Sequence, residues 1–102
     1  MISRSVIFAP EAQDDLFNIY NQISAKAGIE VGFAYTERLE AYCRHFDFAS
    51  QRGHLREDIR SGLRIVGFER RVTIAFTVEE FSVIIIRLFY GGRDWETELT
   101  GH

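Results

Sequence analysis

The chain predicts an α+β fold of order β-α-α-β-β-β, a helical hairpin packed on one face of a small, mainly antiparallel sheet. Three observations carry this: apolar residues recur every three or four positions through the first half, they alternate or run continuously through the second, and the connections are short. At 102 residues with 46% hydrophobic content, the sequence supports a single domain over 1–102 around one core.

The elements follow in order. "SRSVIFAP" opens with a short β-prone run that stops at Pro10, a residue suited to a first helical position, and Glu11, Asp14 and Asp15 complement the positive helix N-terminus. Ala12, Leu16, Ile19, Tyr20, Ile23 and Ala27 then share one face until Gly28 ends the helix. A second helix is expected over about residues 29–46, with Val31, Tyr35, Leu39, Tyr42, Cys43 and Phe46 as its stripe, antiparallel to the first around "KAGIE". A polar loop, "SQRGHLREDIRSG", follows. Residues 63–67, 72–78 and 81–90 read as strands joined by tight turns near Glu69 and Glu79.

The last strand breaks the expected pattern. Strict alternation puts Ile84, Ile86 and Leu88 on one face and Val83, Ile85 and Phe89 on the other, with Arg87 among the second group. Two helices cannot cover both faces, so an apolar second face calls for a docking partner or for a sheet curled enough to cover itself.

Composition excludes several functions. No stretch holds the roughly 18 uninterrupted apolar residues of a membrane span, and the N-terminus turns acidic where a signal peptide would stay apolar, so a soluble, cytoplasmic chain without membrane contact is expected. Cys43 alone completes neither a disulfide framework nor a metal site, and no metal or cofactor is expected. A net charge of −3 argues against nucleic-acid binding, so direct sequence-specific DNA binding is not expected. Positions 52 to 71 nevertheless carry six arginines (52, 56, 60, 64, 70, 71) against Glu57, Asp58 and Glu69, one basic sector on an acidic protein. His45, His54 and His102 have no serine or cysteine pattern beside them that would make a nucleophile and base; His54 lies in the arginine-rich loop, where its alternative role is target contact. Asp14–Asp15 and Glu79–Glu80 read as a helix start and a turn.

Three stretches, "FAPEAQDDLFNIYNQI", "RGHLREDIRSGLRIVGFERRVTIAF" and "VIIIRLFYGGRDWE", in that order and over nearly the whole chain, resemble the ParE branch of the RelE/ParE toxin superfamily. The most specific parts are Pro-Glu-Ala before the first helix, the "RGxxRxDIRxGLR" loop and the final "RxFYGGRDxE". The resemblance implies a RelE/ParE-like fold and a toxin of a type II toxin–antitoxin pair. It further implies a ParD-like antitoxin whose C-terminal segment, disordered alone, wraps the toxin's helices and sheet, with two toxins on an antitoxin dimer in a heterotetramer or larger complex. The implied target is DNA gyrase, bound rather than chemically transformed; the alternative is a RelE-like ribosome-dependent mRNA endoribonuclease on the same fold.

The antitoxin-binding set is expected to comprise Arg56, Arg60, Arg64, Val83, Ile85, Arg87 and Phe89. Tyr90, Gly91, Gly92, Arg93, Asp94 and Trp95 form the expected target-binding end, since the glycines permit a turn and Tyr, Arg and Trp are common binding hot spots. A structural alternative has Trp95 folding back onto the core beside an Arg93–Asp94 ion pair, and Arg87 paired with Asp94 or Glu96. A ribonuclease would use Arg64, Arg71, Arg87, Tyr90 and Arg93, yet the tyrosine such enzymes often carry six residues beyond the last arginine is Leu99 here.

Overall fold

A computed structural model describes residues 4–47 and 52–100; His102 lies outside the described residues. The elements are β1 (Ser5–Phe8), α1 (Pro10–Ala27), α2 (Ile29–Arg44) with a 3-10 turn at His45–Asp47, β2 (His54–Leu55), β3 (Leu63–Phe68), β4 (Val72–Val78), β5 (Ser82–Tyr90) and α3 (Trp95–Leu99). One five-stranded sheet has the order β1-β5-β4-β3-β2. Every neighbouring pair is antiparallel except β1 and β5, which run parallel.

The helical hairpin covers one face. Gly28 alone links α1 to α2, and the helices meet closely at Gly32, where a Cβ would strike Ser24 Oγ and the Tyr20 carbonyl. Ile19, Ile23, Tyr35, Leu39 and Cys43 of the hairpin pack on Ile74, Phe76, Val83, Ile85 and Leu88 of the sheet. Burial pushes the Cys43 thiol up to about 12, as expected of a core thiol. The helical stripes differ from expectation at their ends. Ala27 and Val31 are exposed near the hairpin's tip, whereas Asp15, Gly32 and Thr36 turn inward, Thr36 Oγ1 donating to the Gly32 carbonyl at 3.0 Å.

A bulge overturns the expected alternation in the last strand. Ala75 pairs with Arg87 but Phe76 pairs with Ile85, so Ile86 is an extra residue in β5 and the side-chain parity reverses across it. Val83 and Ile85, assigned by alternation to an uncovered second face, are fully buried beneath the helices together with Leu88. Neither is surface for a partner. Phe89 does point to the second face, but it is only 1% exposed, enclosed with Leu63, Ile65 and Ala75 under Leu99 of α3. The chain's own C-terminal helix therefore covers this half of the second face, in place of the partner or the curled sheet that alternation suggested. Toward β1 the face stays open: Ile7, paired with Ile84, is 48% exposed.

Candidate functional site

The segment after β5 turns back onto the sheet. Gly91 takes φ 75°, open to glycine at no steric cost, and its N–H donates to the Arg71 carbonyl at 2.7 Å. Asp94 then caps α3, accepting from Thr97 Oγ1 at 2.6 Å and Thr97 N–H at 3.3 Å, bonds that hold its carboxyl below the ordinary aspartate range. Trp95 lies against the Arg56 guanidinium, 5.3 Å from ring centre, and Arg56 is clasped by Asp58 at 2.8 Å and Glu96 at 2.6 Å. Arg93 pairs with Glu98, not with Asp94, and sits 5.3 Å from the Phe89 ring centre. The expected target-binding end is thus a folded cap. Gly91, Gly92, Arg93 and Asp94 remain exposed on it.

Arg87 stands where β1 has ended and β5 becomes an edge. Its Nε and Nη2 donate to Asp15 at 2.7 and 3.0 Å, and Asp15 also accepts the Leu88 N–H at 2.9 Å. Glu98 is 3.8 Å away and the Phe89 ring 4.8 Å. The partner acid is therefore Asp15 of α1, in place of Asp94 or Glu96. The spacing held a signal for it: Asp15 falls three residues after Ala12 and four before Ile19, on the buried stripe, although its place in the first turns read as a helix-dipole charge.

The basic sector divides. Arg64 donates to the Arg52 carbonyl at 3.0 Å and Arg52 lies over Tyr42 and Phe46, Arg56 holds α3, and Arg60 is exposed in the β2–β3 connection. The five residues a ribonuclease would need fall into three places, Arg71 with Tyr90, Arg87 with Arg93 around Glu98 and Phe89, and Arg64 apart. Tyr90 packs edge-on against Tyr35 beside Arg71 under the tip of the hairpin, Arg64 occupies the opposite end of β3 from them, Arg87 is bound to Asp15, and Arg93 lies on the second face. His54 is exposed in β2, and the His45 ring is turned to the Ala41 carbonyl at 2.8 Å.

An open apolar feature escaped the sequence reading. Phe17 and Phe33 are 63% and 55% exposed, and with Leu16, Tyr20, Gln13 and Thr36 they line a groove of about 330 Å³ on the outer side of the hairpin. Phe17 stacks on Tyr20 at 6.4 Å. Each phenylalanine sits off its helix's inward stripe, and an aromatic in that position is the signal that marks an outward apolar surface.

The geometry defines a small α+β domain with an open aromatic groove on its helical hairpin and with Arg38, Arg44, Arg56, Arg87 and Arg93 held in ion pairs. The chain belongs to the ParE toxin family: the family described as "ParE toxin of type II toxin-antitoxin system, parDE" matches residues 6–95. Among solved structures it is similar to a chain described as "Chromosomal ParDE TA system from P. aeruginosa", with a TM-score of 0.76 at 20% identity over 87% of this chain and 97% of that one. At that identity the likeness is one of fold. No curated protein matches the chain. Among the described residues no helix is long and apolar enough to cross a membrane.

Proposed function

We propose that this ParE-family toxin arrests growth in the cytoplasm by binding DNA gyrase, and that a ParD-type antitoxin silences it by laying an amphipathic helix into the hairpin groove. The observation that carries this reading is the exposure of Phe17 and Phe33 side by side in a formed groove. Grooves of this kind accept apolar anchors spaced i, i+3/i+4 along a partner helix. Two toxins on an antitoxin dimer is the stoichiometry we adopt.

Binding is favoured over cutting because RNA cleavage needs a proton acceptor, a proton donor and a cation close to one ribose 2′-hydroxyl. The distance of Arg64 and Arg93 from the Arg71–Tyr90 pair, and the engagement of Arg87 by Asp15, support no such site. The C-terminal cap from Tyr90 to Trp95, exposed at Gly91 to Asp94, is the proposed gyrase contact.

A supercoiling assay with purified gyrase, run beside a translation-coupled mRNA cleavage assay, tests the reading. The chain should inhibit supercoiling, leave mRNA intact and be reversed by antitoxin. Phe17→Asp with Phe33→Asp should escape the antitoxin yet still inhibit gyrase, while Arg93→Ala or Trp95→Ala should lose inhibition and keep antitoxin binding. Cleaved mRNA with unimpaired supercoiling would overturn the proposal in favour of the ribonuclease.

A further inference from the structure

A second concavity lies under the tip of the hairpin, where the last turn of α1, the start of α2 and the β3–β4 turn meet. It encloses about 380 Å³. Buried Ile23 and Tyr35 form its floor with Tyr90, and Lys26, Val31, Arg38, Glu69 and Arg71 form its exposed rim. Three of these rim groups are cations and one is an acid. Glu69 is already taken by Arg38, whose Nε and Nη2 each donate to it at 3.1 Å, and these hydrogen bonds hold the Glu69 carboxyl below its ordinary range. Lys26 and Arg71 form no ion pair among the described residues. A net-acidic protein thus keeps two cations without a contact ion pair around one hollow, with Glu69 shared between Arg38 and the field of Arg71.

Two further features set this hollow apart. The Tyr35 hydroxyl at its floor is buried without a hydrogen-bond partner, a state that proteins rarely leave uncorrected. Burial, reinforced by Glu69, pushes the phenol up to about 12, so at neutral pH it is an O–H donor in want of an acceptor. The wall is also strained. Glu69 and Arg70 have φ of 49° and 60°, and the Arg71 N–H donates to the Phe68 carbonyl at 3.0 Å, a two-residue hairpin turn with both central residues left-handed where Asn-Gly is the usual occupant. Strain kept on charged residues, with Glu69 and Arg71 presented to the hollow, is a feature of binding sites.

We infer that this concavity is an anion subsite that receives one aspartate or glutamate side chain of the antitoxin. The inference rests on the antitoxin docking proposed above. Charge supports an acidic peptide occupant: Lys26 and Arg71 stand on the rim, and Val31, 51% exposed beside them, offers an apolar wall to the stem of such a side chain. Arg71 and Lys26 supply the charge, and Tyr35 supplies a neutral donor that becomes reachable when the side chains over it part.

The test measures antitoxin affinity for the full chain and for Tyr35→Phe, Arg71→Ala and Lys26→Ala. Tyr35→Phe should leave the free toxin as heat-stable as the parent or more so, since it removes an unpartnered polar atom, yet weaken antitoxin binding about fivefold. Arg71→Ala should weaken it about tenfold. Among antitoxin variants with each acid changed to its amide, one should lose affinity for the parent and show no further loss against Arg71→Ala. Should Tyr35→Phe and Arg71→Ala bind as the parent does while Phe17→Asp fails to bind, the groove reading stands and the subsite is refuted. If Phe17→Asp itself binds as the parent does, the groove reading falls and the subsite with it. Saturable binding of inorganic phosphate or adenosine monophosphate that Arg71→Ala abolishes, with antitoxin affinity unchanged, would also overturn the inference, in favour of a small-molecule anion.

Discussion

At Asp15 one carboxylate joins two distant parts of the chain, the first helix that carries it and the end of β5 whose Arg87 guanidinium and Leu88 N–H it accepts. Asparagine there would keep the volume and lose the charge, leaving Arg87 uncompensated. Removing one partner of a buried pair costs about 3–5 kcal/mol, and the low end applies because the Arg87 side chain is 23% exposed. Asp15→Asn should therefore lower Tm by roughly 12–24 °C, at about 4–8 °C per kcal/mol in a chain of this size, as read by calorimetry. Replacing both residues by apolar ones, Asp15→Leu with Arg87→Met, should recover most of the loss. The need for an acid near Arg87 was legible in the sequence, since a guanidinium in an apolar strand requires one. Its identity was not. Asp94 and Glu96 are neighbours in sequence, whereas Asp15 stands 72 residues away, and only the packing of α1 on β5 makes it the nearer.

Among the elements, β4 was read to its exact bounds and β3 to within one residue, because alternation against a covered face leaves a period of two. The two-residue β2 and the five-residue α3 are too short to carry any period, and a bulge has none by nature. That bulge can be tested by deleting Ile86. Restored alternation would turn Val83 and Ile85, both fully buried, away from the core. At about 1.5–3 kcal/mol each, the loss approaches a typical whole stability of about 5–15 kcal/mol. The deletion should abolish cooperative unfolding by circular dichroism, whereas Ile86→Ala should leave it intact. α3 answers to pH. The hydrogen bonds from Thr97 place the Asp94 pKa below that of an unfolded aspartate, about 3.9, so the ionised cap supports α3 above that value and the support fades as pH falls through the lower folded one. Trp95, the sole tryptophan, reports it: its fluorescence should be steady at neutral pH and shift below about pH 4. Asp94→Ala should show the acid-like signal already at pH 7.

For the molecule as a whole, the apolar surface is divided between a half-face closed by the chain's own C-terminus and a groove left open on the helices. A chain ending at Gly92 loses Leu99 and Trp95 from above Phe89, Leu63 and Ile65. It should fold less stably and bind a hydrophobic dye that the parent does not gain at that face, and comparison with Phe17→Asp in the same dye assay separates the two surfaces. The sequence asked for a docking partner on the ground of an apolar second face, and that ground fails, since the bulge moves Val83 and Ile85 inward and α3 covers Phe89. The exposed aromatics Phe17 and Phe33 were not legible, because they looked like incidental members of amphipathic helices.

The sheet order sets β1 beside β5, so the first strand synthesised waits for the last. At about 5–20 residues per second, that wait is several seconds, during which α1 lacks β5, the strand that supplies Asp15 with its partners. Stalled nascent chains of increasing length, probed by protease, should show a resistant core only once Tyr90 has emerged. The interval gives an antitoxin synthesised at the same time an opportunity to meet the helices before the sheet behind them has closed.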